Sequence, residues 1–265
     1  MYFQMLYGRQ KYMYSLGIDS GSSGTKAVLF DGKNIAAKQI LPTGANPKQT
    51  IEKIYQNFAD YNIGYIISTG YGRNLLEQAD KRITEITCHA RGAAFLHPQT
   101  GKIIDVGGQD SKVIELNADL QVEDFLMNDK CAAGTGRFIE NVLHKVEQPL
   151  ANLDQFTDGK TPIKINSMCA VFAESEIISL LAQGNDPGDI VLGVIDSVCQ
   201  RVASFARQLK NNSGDIFFSG GLAKSKVFHK RLENYLKEPV FTHELSQYAG
   251  AIGAAVIAYE KMTAK

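Results

Sequence analysis

Two of the four cysteines lie in segments suited to thiolate chemistry. Cys131 lies in NDKCAAGTGRF and Cys169 in SMCAVFAESE, and in both segments small residues lead into a predicted amphipathic helix. The unpaired N–H groups and the positive dipole at a helix start stabilise thiolates and the negative charge of a thiolate-bound cluster. These residues therefore indicate either a metal or iron–sulfur site or, on spacing alone, two buried structural cysteines.

The spacing of the cysteines limits what one chain can bind. Zinc and iron–sulfur sites commonly use four ligands, often in CxxC pairs. This chain has cysteines only at positions 88, 131, 169 and 199. Cys131 and Cys169 could therefore supply half of a four-thiolate site that the same pair from a second copy completes. Cys88 and Cys199 lie in helical patterns without glycine-rich surroundings, which predicts ordinary core or surface thiols.

A glycine-rich turn between two apolar strands, GIDSGSSGTK, has the composition of a phosphate-binding loop. Glycine permits close approach of backbone N–H groups to a polyphosphate. Asp19 is predicted to hold Mg²⁺ through water, because it ends the first strand. The residues predicted to face the phosphates are Ser22, Ser23, Gly24, Thr25 and Lys26.

The same pattern returns about 85 residues later as IDVGGQDSKV, which suggests an internally duplicated fold. There Asp105 is the second predicted Mg²⁺ residue, and Gly107, Gly108 and Gln109 are predicted to line the γ-phosphate side. Either loop alone could be an ordinary hairpin turn. A third loop, FFSGGLAKS, contains Gly220 and Gly221 after an apolar strand and is predicted to support adenosine or its phosphates.

The elements that must position these residues alternate between strands and helices. Periodicity and turn residues predict strands at 14–19, 25–31, 34–41, 65–70, 102–106, 111–117, 120–126, 162–166, 215–221 and 239–242. Helices are predicted at 50–58, 85–95, 135–146, 170–182, 187–209, 225–236 and 248–262. The fold class is therefore α/β.

The composition excludes several classes of partner. Lys plus Arg and Asp plus Glu both number 28, so no basic surface indicates binding to nucleic acid or to an anionic membrane. No apolar run approaches the roughly 20 residues of a membrane span. The absence of a signal peptide and the few irregularly spaced cysteines predict a reducing cytoplasm. Residues 1–12 are interpreted as a tag-like or disordered extension.

Together the three glycine loops resemble the actin, Hsp70 and sugar-kinase ATPase superfamily, in which two duplicated subdomains surround a nucleotide cleft. With TGYGRN, ITCHARGA, NDKCAAGTGRF and CAVFAESE added, the chain resembles the activator ATPases of 2-hydroxyacyl-CoA dehydratases. Those belong to the BadF/BadG/BcrA/BcrD ATPase family. The resemblance implies one subdomain formed by 13–96 plus 248–265, and a second, 97–247, that carries the cluster cysteines.

The resemblance also implies a set of ligands and partners. These are ATP or ADP, Mg²⁺, and one 4Fe–4S cluster per homodimer, bound by Cys131 and Cys169 of each chain. The implied acceptor is a 2-hydroxyacyl-CoA dehydratase or related reductase component, and the donor is ferredoxin or flavodoxin. Gly134 and Gln247 are further candidate nucleotide contacts.

Some alternatives stay open. Gln109 and Glu174 are nominated to orient the attacking water, with Asp19 and Asp105 at the Mg²⁺. Glu174 could instead be a solvated carboxylate near a helix start. The chain could also be a small-molecule kinase of the same fold, or a non-catalytic sensor that dimerises when it binds ATP.

Overall fold

The structure is a computed structural model that describes residues 13–129, 131–167, 169–209 and 214–264. The predicted extension at 1–12 lies outside these residues. The chain separates into two compact units. The first comprises the described parts of Met1–Thr100, Leu116–Glu123 and Leu245–Lys265, and the second those of Gly101–Glu115 and Asp124–Glu244.

The first unit contains a five-stranded sheet in the order β3-β2-β1-β4-β5. Its strands are β1 (Tyr14–Ser20), β2 (Gly24–Phe30), β3 (Ile35–Pro42), β4 (Ile63–Thr69) and β5 (Lys81–Arg82). Its helices are α1 (Pro47–Gln56), α2 (Glu85–Leu96) and α8 (Ala249–Thr263). Strands β1, β2 and β3 are antiparallel neighbours, and β4 runs parallel to β1.

Apolar residues cover both faces of this sheet. Leu16 and Ile18 of β1 pack with Ile51 and Ile54 of α1 in one buried cluster. On the other face, Val28 and Phe30 of β2 pack with α8. At Gly17 a Cβ would lie 2.2 Å from the Ala251 carbonyl oxygen, so only glycine allows α8 to approach β1 so closely. Gly17 therefore sets how closely α8 packs on β1.

The second unit contains another five-stranded sheet, in the order β10-β9-β6-β7-β8. Its strands are β6 (Thr100–Val106), β7 (Ser111–Leu116), β8 (Val122–Asn128), β9 (Asp215–Gly220) and β10 (Val240–Phe241). Its helices are α3 (Gly136–Lys145), α4 (Leu153–Phe156), α5 (Ala170–Ala182), α6 (Pro187–Ala206) and α7 (Lys226–Leu236). Its largest helix, α6, is buried along most of its length beside Ile104, Val106 and Val113 of the sheet.

One predicted strand is wrong. Residues 162–166 join neither sheet. Instead the segment lies against α6: the Ile163 N–H donates to the Asp189 carbonyl at 3.1 Å, and the Thr161 N–H donates to the Asp189 side chain at 2.9 Å. Gly193 permits this approach, because a Cβ there would lie 1.8 Å from the Ile163 carbonyl oxygen. A helix has thus replaced a neighbouring strand as the segment's partner.

The other predicted strands and helices are present, with ends that differ by a few residues. Helix α5 has the predicted bounds, and α6 ends at Ala206 rather than at 209. In the part of the chain that the structure describes, no helix is both long and apolar enough to cross a membrane.

Candidate functional site

The β1–β2 turn of the first unit is held in a defined conformation by a threonine from outside the turn. The Gly21 N–H donates to the Gly24 carbonyl at 3.2 Å, which closes the turn. Thr43, just beyond β3, donates its hydroxyl to the Gly21 carbonyl at 2.7 Å and shares a 3.0 Å hydrogen bond with the Thr25 hydroxyl. Thr25 is fully buried, so it supports the turn from the protein interior.

The remaining predicted phosphate contacts lie on the accessible side of the turn. Ser22, Ser23, Gly24 and Lys26 are half-buried. Such partly open backbone and hydroxyl groups can donate to phosphate oxygens.

Asp19 is a buried carboxylate with little space around it. It pairs with Lys26 across the hairpin, and the Lys26 Nζ lies 3.6 Å from its Oδ2. A Cβ at Gly70 would lie 2.5 Å from Asp19 Oδ1, and a Cβ at Gly250 would lie 2.9 Å from Oδ2. Gly70 also has a positive φ of 83°. Both glycines are therefore required for Asp19 to occupy this position.

Ser20 follows Asp19 and is buried, yet its hydroxyl has no hydrogen-bond partner within the described residues. A buried polar group without a partner is uncommon in folded proteins. A hydrated cation or a phosphate beside Asp19 would satisfy it.

The β6–β7 turn of the second unit carries the same pair of residues in the same register. Asp105 pairs with Lys112 across the hairpin, as Asp19 does with Lys26. Lys112 Nζ lies 3.3 Å from Asp105 Oδ2 and 2.9 Å from Asp110 Oδ2. Ser219 of β9 donates its hydroxyl to Asp105 Oδ1 at 2.7 Å.

Lys112 and Ser219 are not among the site residues predicted from the sequence. The first could have been found from the repeat, because its place in the second hairpin matches that of Lys26 in the first. Ser219 gives no such signal, because it lies more than a hundred residues from its partner.

The β6–β7 turn is hydrogen-bonded directly to the start of α3. The Gly136 N–H donates to the Gly107 carbonyl at 2.9 Å, and the Arg137 N–H donates to the Gly108 carbonyl at 3.0 Å. A Cβ at Gly136 would lie 3.1 Å from the Gly107 oxygen, so a larger residue there would push that carbonyl by a few tenths of an ångström. Gln109, at the tip of the same turn, is exposed to solvent. A group bound at this turn would therefore be joined to the helix that follows Cys131.

The third glycine loop follows β9. Gly220 has a positive φ of 97°, and a Cβ there would lie 2.2 Å from the Val106 carbonyl oxygen. Glycine is thus needed at 220 both for conformation and for close approach to β6. A Cβ at Gly221 would have no neighbour within 4 Å, and this residue is exposed.

The last two predicted nucleotide contacts lie in different surroundings. Gly134 is buried in a 3₁₀ turn (Ala132–Gly134), where a Cβ would lie 3.0 Å from Asn128 Nδ2. In the first unit, Gln247 is half-buried in another 3₁₀ turn (Ser246–Tyr248) just before α8.

Cys131 is exposed and immediately precedes the 3₁₀ turn that leads to α3. Its backbone is held on both sides by Asn128, whose amide accepts from the Cys131 N–H at 3.1 Å and donates to the Cys131 carbonyl at 3.0 Å. The thiol itself makes no capping hydrogen bond to the described part of that turn.

Cys169 is also exposed and is the N-cap residue of α5, again without a capping bond from its thiol. Glu176 of α5 accepts from the N–H groups of Asn166 and Ser167, both at 2.9 Å. Burial on its own would raise the pKa of Glu176, but hydrogen bonds from Ser167 and Asn166 outweigh it and lower that pKa. The carboxylate therefore ties the Cys169 segment to its own helix.

Glu174 is held by a lysine of another helix. Its carboxylate is exposed and forms an ion pair with Lys145, at 2.6 Å, so it joins the end of α3 to α5. These are the two helices that follow Cys131 and Cys169.

The other two cysteines are buried, in agreement with the prediction of ordinary thiols. Burial raises the pKa of the Cys88 thiol to about 12 and that of Cys199 well above its usual value. Neither is suited to supply a thiolate at neutral pH. The alternative that Cys131 and Cys169 are buried structural residues is wrong, because both are exposed.

The donor set fits half of a thiolate site. Two exposed thiols that each begin a helical turn are suited to bind a metal cluster. Across the described residues, no group of three or more His, Cys, Asp and Glu side chains could hold a metal ion within one chain. A complete four-thiolate site would therefore need a second copy.

The fold and its glycine loops place the protein among the nucleotide-binding ATPases of the actin, Hsp70 and sugar-kinase type, as predicted. Kinases of the ROK family share this fold at 13% to 15% identity, which shows the fold alone. Residues 16–258 match the BadF/BadG/BcrA/BcrD ATPase family, and the chain belongs to that family. The predicted resemblance is thus confirmed.

Relatives cover nearly the whole chain. It is 46% identical to the uncharacterized protein YjiL of Escherichia coli, over 92% of this chain and 96% of that protein. It is 40% identical to the (R)-2-hydroxyglutaryl-CoA dehydratase activating ATPase of Acidaminococcus fermentans, over 94% of this chain and 98% of that protein. The solved activator of the 2-hydroxyisocaproyl-CoA dehydratase from Clostridium difficile, with bound ADPNP, superposes with a TM-score of 0.87 at 36% identity, over 95% of this chain and 96% of that one.

Proposed function

We propose that this chain is an ATP-hydrolysing activator that delivers one electron to a 2-hydroxyacyl-CoA dehydratase or a related reductase component. The observation that carries the proposal is the pair of exposed cysteines in one unit, each at the start of a helical turn, with the Cys131 helix hydrogen-bonded to a glycine loop. The family and the named activators among its relatives support the acceptor class.

ATP and Mg²⁺ would be bound through the residues of the glycine loops. Asp19 and Asp105 are our candidates for binding Mg²⁺ through water, and Lys26 and Lys112 beside them would offset the negative charge of the carboxylates and phosphates. Gln109 is our candidate to orient the attacking water, because it is exposed at the tip of its turn. Glu174 is a weaker candidate because its carboxylate already forms an ion pair with Lys145.

The link between hydrolysis and electron transfer is proposed to run through α3. Loss of the γ-phosphate changes what the β6–β7 turn binds, and the carbonyls of Gly107 and Gly108 pass a shift of that turn to the first N–H groups of α3. Since Cys131 lies just before α3, such a shift would move one of the two thiol-bearing segments.

The thiols would hold a 4Fe–4S cluster between two copies of the chain. Such a cluster supplies a one-electron carrier, with ferredoxin or flavodoxin as the proposed donor. Cys131 and Cys169 of each copy provide the four thiolates, and the helical N–H groups beside them stabilise their charge. Val171 and Phe172, each 70% exposed beside Cys169, provide an apolar surface for the second copy.

The test is an anaerobic preparation analysed for iron, sulfide and mass. We expect about four irons and four sulfides per dimer, and ATP hydrolysis that depends on Mg²⁺. Cys131→Ser and Cys169→Ser should each lose the iron and the brown colour. Cys88→Ala and Cys199→Ala are the matched controls and should keep both.

Two outcomes would contradict the proposal. A colourless wild-type protein that phosphorylates a small molecule would make it a kinase of the same fold. A colourless protein that dimerises with ATP but does not hydrolyse it would make it a sensor.

A further inference from the structure

Arg201 of α6 connects to the segment before Cys169. Its Nη2 donates to the carbonyl of Ser167, two residues before the cysteine, at 3.1 Å. Its Nε donates to Ser197, one turn earlier in α6, at 3.4 Å. The guanidinium is part-buried, and these two hydrogen bonds hold its orientation. Arg201 thus holds the backbone two residues before one of the two thiols.

The same side chain also borders the other thiol segment. A cavity of about 380 Å³ in the second unit is lined by Ser111, Asn128, Asp129, Cys131, Arg201 and Phe205. The 3₁₀ turn that follows Cys131 packs against α6 beside this cavity. Arg201 is therefore a residue of one rigid helix that meets both cysteine segments.

The chemistry of arginine suits this position. Arginine is a permanent cation in proteins, and its planar fork can bind several acceptors at once. A fixed positive charge near a redox centre stabilises its reduced form, which carries one more negative charge, and this effect is larger away from bulk water. Such a charge raises the midpoint potential.

We propose that Arg201 is a positioning residue that orients the Cys131 and Cys169 segments and sets the potential of the cluster they bind. This inference rests on the proposed function. It goes beyond it by assigning a residue that is not a ligand and lies more than thirty positions after Cys169 in the chain.

The test compares Arg201→Gln, Arg201→Lys and the control Arg207→Gln in the anaerobic dimer. Arg207 is the C-cap residue of the same helix, and its guanidinium donates to the Tyr235 carbonyl instead. We expect Arg201→Gln to lower the midpoint potential by about 59 mV or more, which is a tenfold change in the ratio of reduced to oxidised cluster for one electron. The potential would be measured by redox titration followed by electron paramagnetic resonance.

Arg201→Lys separates charge from geometry. Lysine keeps the charge but not the planar fork, so we expect a potential close to wild type with faster loss of iron to a chelator. In cluster-free protein, amide exchange at residues 128–135 and 166–170 should accelerate in Arg201→Gln but not in Arg207→Gln. This readout does not depend on bound iron.

The outcomes distinguish this inference from the proposed function. If Arg201→Gln keeps the wild-type potential and the wild-type amide exchange, the role of Arg201 is disproved while the electron-transfer activator stands. If the wild-type dimer binds no iron, the proposed function fails first, and the inference fails with it. An equal shift in Arg207→Gln would show a general charge effect and would also overturn the assignment.

Discussion

Two Asp–Lys pairs, one in each hairpin, are the recurring unit of this protein at the scale of single residues. Asp19–Lys26 and Asp105–Lys112 occupy the same register position beside a glycine turn. The lysine Nζ lies 3.6 Å from the Asp19 carboxylate in the first pair and 3.3 Å from the Asp105 carboxylate in the second. Each pair therefore places a paired charge beside a proposed phosphate loop.

Replacing Asp105 with Asn should lower the rate of ATP hydrolysis by about a hundredfold or more, since it removes a proposed Mg²⁺ residue. The measurement is the steady-state rate of phosphate release. Glu115→Gln is the control, because Glu115 forms a buried pair with Lys102 at 3.3 Å on the same two strands. It should lower the melting temperature without a comparable loss of rate per folded molecule, and equal losses of rate in both variants would contradict the assignment.

The two nominated water-orienting residues can be separated by alanine substitution. Gln109→Ala should reduce the hydrolysis rate by about a hundredfold. Glu174→Ala should leave the rate near wild type and change the free energy of unfolding by at most about 1 kcal/mol, as is usual for an exposed ion pair. A large loss of rate in Glu174→Ala alone would instead assign the water-orienting role to Glu174.

Much of the site could be predicted from residue types, but not its internal partners. The sequence marks the loop residues and Cys131 and Cys169 as candidates, because their signals are local, and the structure then shows that both cysteines are exposed. Asp105 accepts a hydrogen bond from Ser219, and the Ser167 carbonyl before Cys169 accepts one from Arg201. Both donors are distant in the chain from their acceptors. Only the folded second unit brings such residues together.

At the scale of elements, the starts of three helices of the second unit are each held by specific hydrogen bonds. Helix α3 is anchored to the β6–β7 turn, and α5 is tied to its own preceding segment by Glu176. Helix α7 follows the third glycine loop, and Ser225 is its N-cap residue. Asp154 accepts from the Ser225 hydroxyl at 2.7 Å and from the Lys226 N–H at 3.0 Å.

The contribution of Asp154 to stability should depend on pH. Burial on its own would raise the pKa of this carboxyl, but hydrogen bonds from Ser225, Lys226 and Val227 outweigh it and lower that pKa. A pKa below the unfolded value of about 3.9 means that the stabilisation is complete above that pH and is lost as pH falls through the folded pKa.

Asp154→Ala should therefore reduce the free energy of unfolding by about 1 kcal/mol at pH 7, as the loss of a cap does, and by less at pH 3. Urea unfolding at the two pH values measures this difference. Asp158→Ala is the control, because Asp158 is an exposed carboxylate of the same segment. A loss for Asp154→Ala that is equal at both pH values would show that the carboxylate charge contributes nothing.

Periodicity predicted most strands and helices because each is defined by its own apolar pattern. It failed at 162–166, where the pattern suits a strand but the neighbour is α6. A strand needs a partner strand, and the identity of that partner is a property of the folded unit.

At the scale of the whole molecule, each chain has only half of the proposed metal site. Val171→Asp combined with Phe172→Asp should prevent assembly, because two charges would replace the exposed apolar residues beside Cys169. We expect a monomer by sedimentation, with no bound iron. Ile40→Asp, an equally drastic change at a 41% exposed residue of β3 in the first unit, should leave the dimer and its iron intact. A double variant that still forms an iron-loaded dimer would place the contact elsewhere.

The two-thiol half-site has a further consequence for biogenesis. In the proposed dimer each copy supplies two of the four thiolates, so pairing would precede or accompany insertion of the cluster. At chain concentrations well below the dissociation constant of the dimer, the amount of dimer should rise with roughly the square of the expression level, and dilution should favour loss of metal. The concentration of the polypeptide would then determine what fraction of it carries the cluster and can transfer an electron.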